Sequence, residues 1–139
     1  MKAQVIRNIQ AEKELKNLFE KVEVEAGYFA GQEENEESIA SIAAKNEVTR
    51  PFMSRAGEQA QREIPSFYQI EAKKPNYNAK GIFGKMGLYL VSLIKKEIDT
   101  ASSWAKPNSA YTIEKKKSSH PLVDTGTMRA NTDYRVKNV

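Results

Sequence analysis

Residues 85–103, KMGLYLVSLIKKEIDTASS, carry the pattern on which the fold turns. Met86, Leu90, Leu93, Ile94, Ile98 and Ala101 recur at intervals of three and four, the spacing of one helix face, while Lys95, Lys96, Glu97 and Asp99 face away. The spacing predicts the main core helix. The chain beyond it has a different character. Trp104 to Pro121, with Pro107 and Pro121 near its ends and Lys115, Lys116 and Lys117 within it, reads as an extended arm. Leu122 to Met128 forms a compact unit in which the Asp124 carboxylate, placed before Thr125-Gly126-Thr127-Met128, accepts from the free N–H groups of a short helical turn. Beyond it Thr132, Tyr134 and Val136 alternate with Asp133, Arg135 and Lys137, the period of a strand with one buried face.

Upstream, Gln4 to Phe19 places Val5, Ile9, Leu15, Leu18 and Phe19 at roughly helical spacing and is expected to be an amphipathic helix. Lys21 to Tyr28 switches to period two, with Val22, Val24, Ala26 and Tyr28 on one side, and predicts a first strand. Residues 30–37, AGQEENEE, hold four glutamates and nothing to bury, which predicts a mobile exposed loop. Ser38 is placed to cap a helix from Ile39 to Glu47 with Ile39, Ile42, Ala43 and Asn46 on one face. Pro51 suits the first turn of the next helix, where Met53, Ala56, Ala60 and Ile64 share a side. Pro65 is expected to end or kink it, and Ile70 to Gly84, with Pro75-Asn76 and two glycines, reads as a loop. The order helix, strand, helices, strand, without regular alternation, predicts an α+β fold: a small, mainly antiparallel sheet packed with three to four helices.

The chain has 139 residues and reads as a single domain, 1–139, large enough to bury an ordinary core. It contains no cysteine, which excludes a disulfide framework and a thiolate metal site. Its apolar runs are far shorter than a bilayer span, so no membrane association is expected. The net charge of +4 is unevenly placed: residues 1–40 carry five Lys or Arg against nine Glu, residues 41–104 ten against six, and residues 105–139 seven against three. Such asymmetry serves contact between subunits or a basic surface facing DNA.

Two blocks carry a family resemblance. The first is Trp104, Pro107-Asn108, Thr112-Ile113, the lysine stretch, Pro121-Leu122-Val123-Asp124-Thr125-Gly126, Arg129 and Tyr134-x-Val136. The second is Ile39 to Glu47 followed by Arg50-Pro51-Phe52-Met53. In this order they resemble the tailed-phage virion-morphogenesis group, the tail-completion or neck proteins. The resemblance implies a structural protein of phage or prophage that assembles at the head–tail junction as a homo-oligomeric ring. Its implied partners are connector and tail proteins, and its implied place is the virion, after assembly in the bacterial cytoplasm. Arg50, Pro51, Phe52, Trp104, Tyr111, Ile113, Asp124, Thr125, Gly126 and Tyr134 are then the structural and interface candidates. The arm is the element expected to reach a neighbour, and Phe52, Trp104 and Tyr134 are expected to be partly buried between subunits.

Other chemistry is weaker. Lys115 to Lys117 with Tyr111 nearby suit nonspecific phosphate contact, which makes a basic nucleic-acid-binding module the alternative reading. Asp124-Thr125-Gly126 is also the active-site signature of aspartic proteases, whose half-enzymes pair two carboxylates, but those enzymes are nearly all β. His120 stands alone beside Pro121 with no nucleophile motif. Gly81 and Gly84-Lys85 lack phosphate-loop spacing, and the glutamates of 33–37 lack that of a calcium loop. The chain therefore reads as a non-enzyme with no cofactor and no metal.

Overall fold

The structure is a computed structural model, and it describes residues 13, 16–17, 21–29, 31, 33–34, 37–74, 78–107, 109 and 126–138. Strand β1 (Val22–Gly27) pairs antiparallel with β4 (Asp133–Asn138), Val24 opposite Val136 and Ala26 opposite Tyr134. The fold is α+β as expected. Between these strands lie a hairpin of β2 (Glu33–Glu34) and β3 (Glu37–Ser38), and then α1 (Ile39–Thr49), α2 (Phe52–Ala72), α3 (Ala79–Asp99), α4 (Ala101–Trp104) and α5 (Thr127–Ala130). Within the stretch read as an exposed loop, the described residues pair as short strands, Glu33 opposite Ser38 and Glu34 opposite Glu37.

Ser38 caps α1 as its sequence position promises, its hydroxyl accepting from the Ser41 N–H at 3.1 Å. Ile39 and Ala43 are buried, and the helix continues to Thr49. Helix α2 corrects a second expectation, because it runs through Pro65 to Ala72. Pro65 and Gln61 are both exposed, so the Gln61 carbonyl that loses its helical partner is on the water side. Continuation then lets Phe67 stack on Tyr89 at 5.3 Å and Tyr68 lean on Phe83 at 6.3 Å.

The long core helix is present but displaced. It begins at Ala79, within the stretch read as a loop, and stops at Thr100 before the short α4. Asn78 supplies the missed start signal, its side-chain oxygen accepting from the Gly81 N–H at 3.1 Å. The glycines that look like breakers have a packing role. A Cβ on Gly87 would overlap the Tyr134 ring, whereas one on Gly84 would sit 3.9 Å from the Tyr134 hydroxyl oxygen. Strand β4 can therefore lie directly on α3 only because Gly87 has no side chain.

Two clusters form the interior. The larger joins Ile39, Ala43, Phe52, Ala56, Leu93 and Ile98 with Ala101 and Met128. The smaller consists of Ala72, Ile82 and Phe83, rimmed by half-buried Val22, Val24, Phe67 and Tyr68. The expected N-terminal helix 4–19 lies mostly outside the described residues. Lys13, Lys16 and Asn17 are helical and exposed.

Candidate functional site

The Arg50-Pro51-Phe52-Met53 motif is a corner between two helices. Its backbone turns at Arg50, whose N–H donates to the Asn46 carbonyl at 2.7 Å, closing α1. Helix α2 then begins beside Pro51, which has no side chain able to cap it. Glu47 does so instead. Its carboxylate accepts from the Met53 N–H at 2.9 Å and the Ser54 N–H at 3.0 Å, with the Ser54 hydroxyl also on it. A negative group there suits the helix dipole as well as the free donors. The Arg50 guanidinium reaches across the chain, Nε donating to the Lys106 carbonyl at 2.9 Å. Pro51 is thus the N-cap residue rather than the first helical residue. Phe52 is 0% exposed and tilted against Tyr28 at 6.3 Å. Its ring is fully used inside one chain and leaves no surface for a neighbour, which corrects the expectation that subunits share it.

Trp104 is held from two sides. Its indole N–H donates to the Glu97 carbonyl at 3.1 Å, and the Arg55 guanidinium lies 4.4 Å above its ring. Arg55 also meets the Glu97 carboxylate at 2.9 Å. The helical period alone turns Glu97 toward solvent, but its side chain is only 8% exposed. Periodicity misplaces it because α2 crosses above, bringing a cation to a carboxylate that would otherwise be costly to bury.

In the C-terminal block Gly126 is left-handed at φ 81° and is the N-cap of α5, a conformation that favours glycine. The helical turn therefore starts at Thr127, later than expected. Met128 enters the larger cluster beside Ile39 and Ala43. The Arg129 guanidinium grips the Asp99 carboxylate with two bonds, 2.6 and 3.0 Å, and is held above its usual pKa by that contact. Buried Thr132 places its hydroxyl oxygen 2.9 Å from that of Tyr28 and 3.2 Å from the Met128 carbonyl oxygen. Tyr134 is half-buried against α3, and Val136 is 45% exposed, so the buried face of the last strand fades toward its end. Asp124, Thr125, Tyr111, Ile113, His120 and Lys115 to Lys117 lie outside the described residues.

Burial pushes the Tyr28 hydroxyl up to about 12, against a smaller opposing effect of the Thr132 hydrogen bond, and burial pushes Tyr68 to about 12 as well. The Glu71 carboxyl is lowered, first by its hydrogen bond from Lys74 at 2.6 Å and further by Lys85 at 3.0 Å. Among the described residues no group of three His, Cys, Asp or Glu is placed to hold a metal. None of the described helices is long and apolar enough to cross a membrane. Exposed apolar side chains remain at Val48, Ile70, Leu88 and Val136.

The Ile39–Met53 block and the described part of the C-terminal block meet in one place. Met128 shares a cluster with Ile39, Ala43 and Phe52, and Arg50 fastens the chain just beyond Trp104. No family model matches the chain, and no curated protein or solved structure matches it either.

Proposed function

We propose that this chain is a structural component of a tailed-phage or prophage particle, a tail-completion or neck protein that assembles at the head–tail junction and helps join tail to head. The observation that carries the reading is the packing of its two resembling blocks into a single unit. Residues far apart in the chain meet there as one core, supported by the Glu47 cap and the Arg50 contact with Lys106. A fold whose distinctive polar residues fasten helices to one another is suited to assembly rather than turnover. The Asp124 protease reading needs a largely β frame, whereas Gly126 here leads into a helical turn on a helical core.

In this proposal copies associate head-to-tail through heterologous interfaces that close into a ring. The arm reaches the neighbouring copy or the connector, with Tyr111 and Ile113 as its apolar anchors. Lys115 to Lys117 are the residues that would touch the backbone of DNA passing through the neck.

A joining assay tests the proposal. A phage lysate lacking this protein should contain separate filled heads and tails, and added purified protein should join them. The Tyr111→Ser, Ile113→Ser double variant should melt like the parent yet fail to join. Joining that proceeds equally without the protein would overturn the proposal.

A further inference from the structure

Strands β1 and β4 form a sheet of two, and among the described residues no third strand pairs with either. In an antiparallel pair alternate residues of each strand direct their N–H and C=O groups away from the partner strand. Each outer edge therefore presents a row of donors and acceptors able to take another strand.

The two edges differ in sign. Tyr134 lies on α3, so the residues that alternate with it stand on the other face of the sheet. There β1 carries Glu23 and Glu25 while β4 carries Arg135 and Lys137, with Glu23 opposite Lys137 and Glu25 opposite Arg135. Lys137 bonds Glu25 at 3.0 Å and the Arg135 guanidinium lies 4.0 Å from the centre of the Phe29 ring, while Glu23 is exposed. These contacts leave one acidic strand beside one basic strand. Opposite charges directly across a strand pair stabilise it and like charges destabilise it. At full overlap, a second β1 laid on β1 sets glutamate against glutamate, and a second β4 laid on β4 sets cation against cation. Adding β4 of one copy to β1 of another instead repeats the pairing already made inside the chain, with the sign alternating from strand to strand.

The face toward the core agrees with this choice. Val136 stands in its row yet is 45% exposed, and Val22 and Val24 on β1 are only half-buried. The same register places Val136 of one copy opposite Val24 of the next and covers both. We propose that copies of this chain associate by adding the outer edge of β4 in one copy to the outer edge of β1 in the next, Lys137 and Arg135 facing the neighbour's Glu23 and Glu25. The two surfaces are different, so the contact is heterologous and repeats from copy to copy. This deepens the ring described above and rests on that reading for closure, while assigning the surface between copies to the sheet.

The chain contains no cysteine, so a variant with one cysteine can be crosslinked only to another chain. Glu23→Cys and Lys137→Cys, both at exposed positions, are purified separately, the second with a mass tag, then mixed in equal amounts and treated with a short bismaleimide. The mixed product should outnumber the two like products together by about tenfold, the advantage of paired over merely colliding thiols. Random collision makes them equal. A second pair, Glu23→Cys with Arg135→Cys, repeats the test at a neighbouring position, and melting curves matching the parent show that the variants keep the fold. Equal amounts, a dominant like product or no crosslink overturns the inference. If that happens while the parent still joins heads to tails, the ring uses another surface. A dominant mixed product from a protein that joining does not need supports the edge contact and overturns the proposed function instead.

Discussion

The two ends of the molecule are built differently. At one, α1, α2, the end of α3 and α5 enclose the larger cluster, and the Glu47 cap, Arg55 with Glu97 and Arg129 with Asp99 fasten its helices. At the other, Ala72, Ile82 and Phe83 are enclosed by rings and valines that are themselves half-exposed. The first end is walled mainly by buried side chains and the second mainly by half-buried ones, so a gap opened at the second is expected to close more readily. Ile39 to Met53 and Met128 belong to the first end, while Ala72, Ile82 and Phe83, within the stretch read as a loop, form the second.

Identical substitutions at the two ends test this contrast most strongly. Ile98 and Ile82 are 0% and 2% exposed, so equal burial separates the effect of the surroundings. Ile98→Ala should cost about 4 kcal/mol and Ile82→Ala about 2, because the cost of a cavity depends on how far its walls relax. Denaturant unfolding measures both, and equal losses would break the contrast. On α3, Gly87→Ala should cost about 2 kcal/mol by driving a methyl into Tyr134, while Gly84→Ala should gain up to about 1 kcal/mol from helix propensity. Thermal melting of the pair separates close packing from backbone entropy. Glu47→Ala should cost about 1 kcal/mol, the loss of a helix cap, and Glu47→Gln should recover part of it through the retained carbonyl oxygen. A variant as stable as the parent would remove Glu47 from the fastening.

The smallest expected effects come with pH. Tyr28 and Tyr68 are raised to about 12 from about 10, so the folded state prefers their neutral form. Their contribution is complete below pH 10 and is lost as pH rises toward 12. Absorbance of tyrosinate should therefore appear together with unfolding in that window. The Glu71 carboxyl is depressed, so its contribution is present above the usual carboxylate range and lost as pH falls through its lowered value. Glu71→Gln should flatten the acid side of the stability curve and leave the alkaline side unchanged.

Much of this architecture is legible in the sequence because local chemistry and tertiary packing agree. Ser38 caps the helix it precedes, the alternation of Val22, Val24 and Ala26 is a strand, and Met86, Leu93, Ile94 and Ile98 face the core. It is illegible where a distant partner changes a residue's meaning. Gly81 and Gly84 suggest a loop until Asn78 caps a helix there, and Gly87 is needed only because Tyr134 arrives from the far end of the chain. Pro65 interrupts one hydrogen bond on an exposed side, too small a loss to stop a helix held by Phe67 and Tyr68. The Arg50-Pro51-Phe52 motif draws attention to a corner, but its letters do not show that Arg50 and Phe52 secure that corner within their own chain. The expected roles of Tyr111, Ile113, Asp124 and Lys115 to Lys117 rest on sequence, since those residues lie outside the described ones.

The proposed role, joining particles by assembling as a ring on a tail or connector, makes one quantity decisive. Native mass measurement of the purified protein, alone and after incubation with isolated tails, tests it most directly. The expected result is a defined multiple of the 15.7 kDa chain bound per tail. A protein recovered entirely as free chains after incubation with tails and connectors would contradict it.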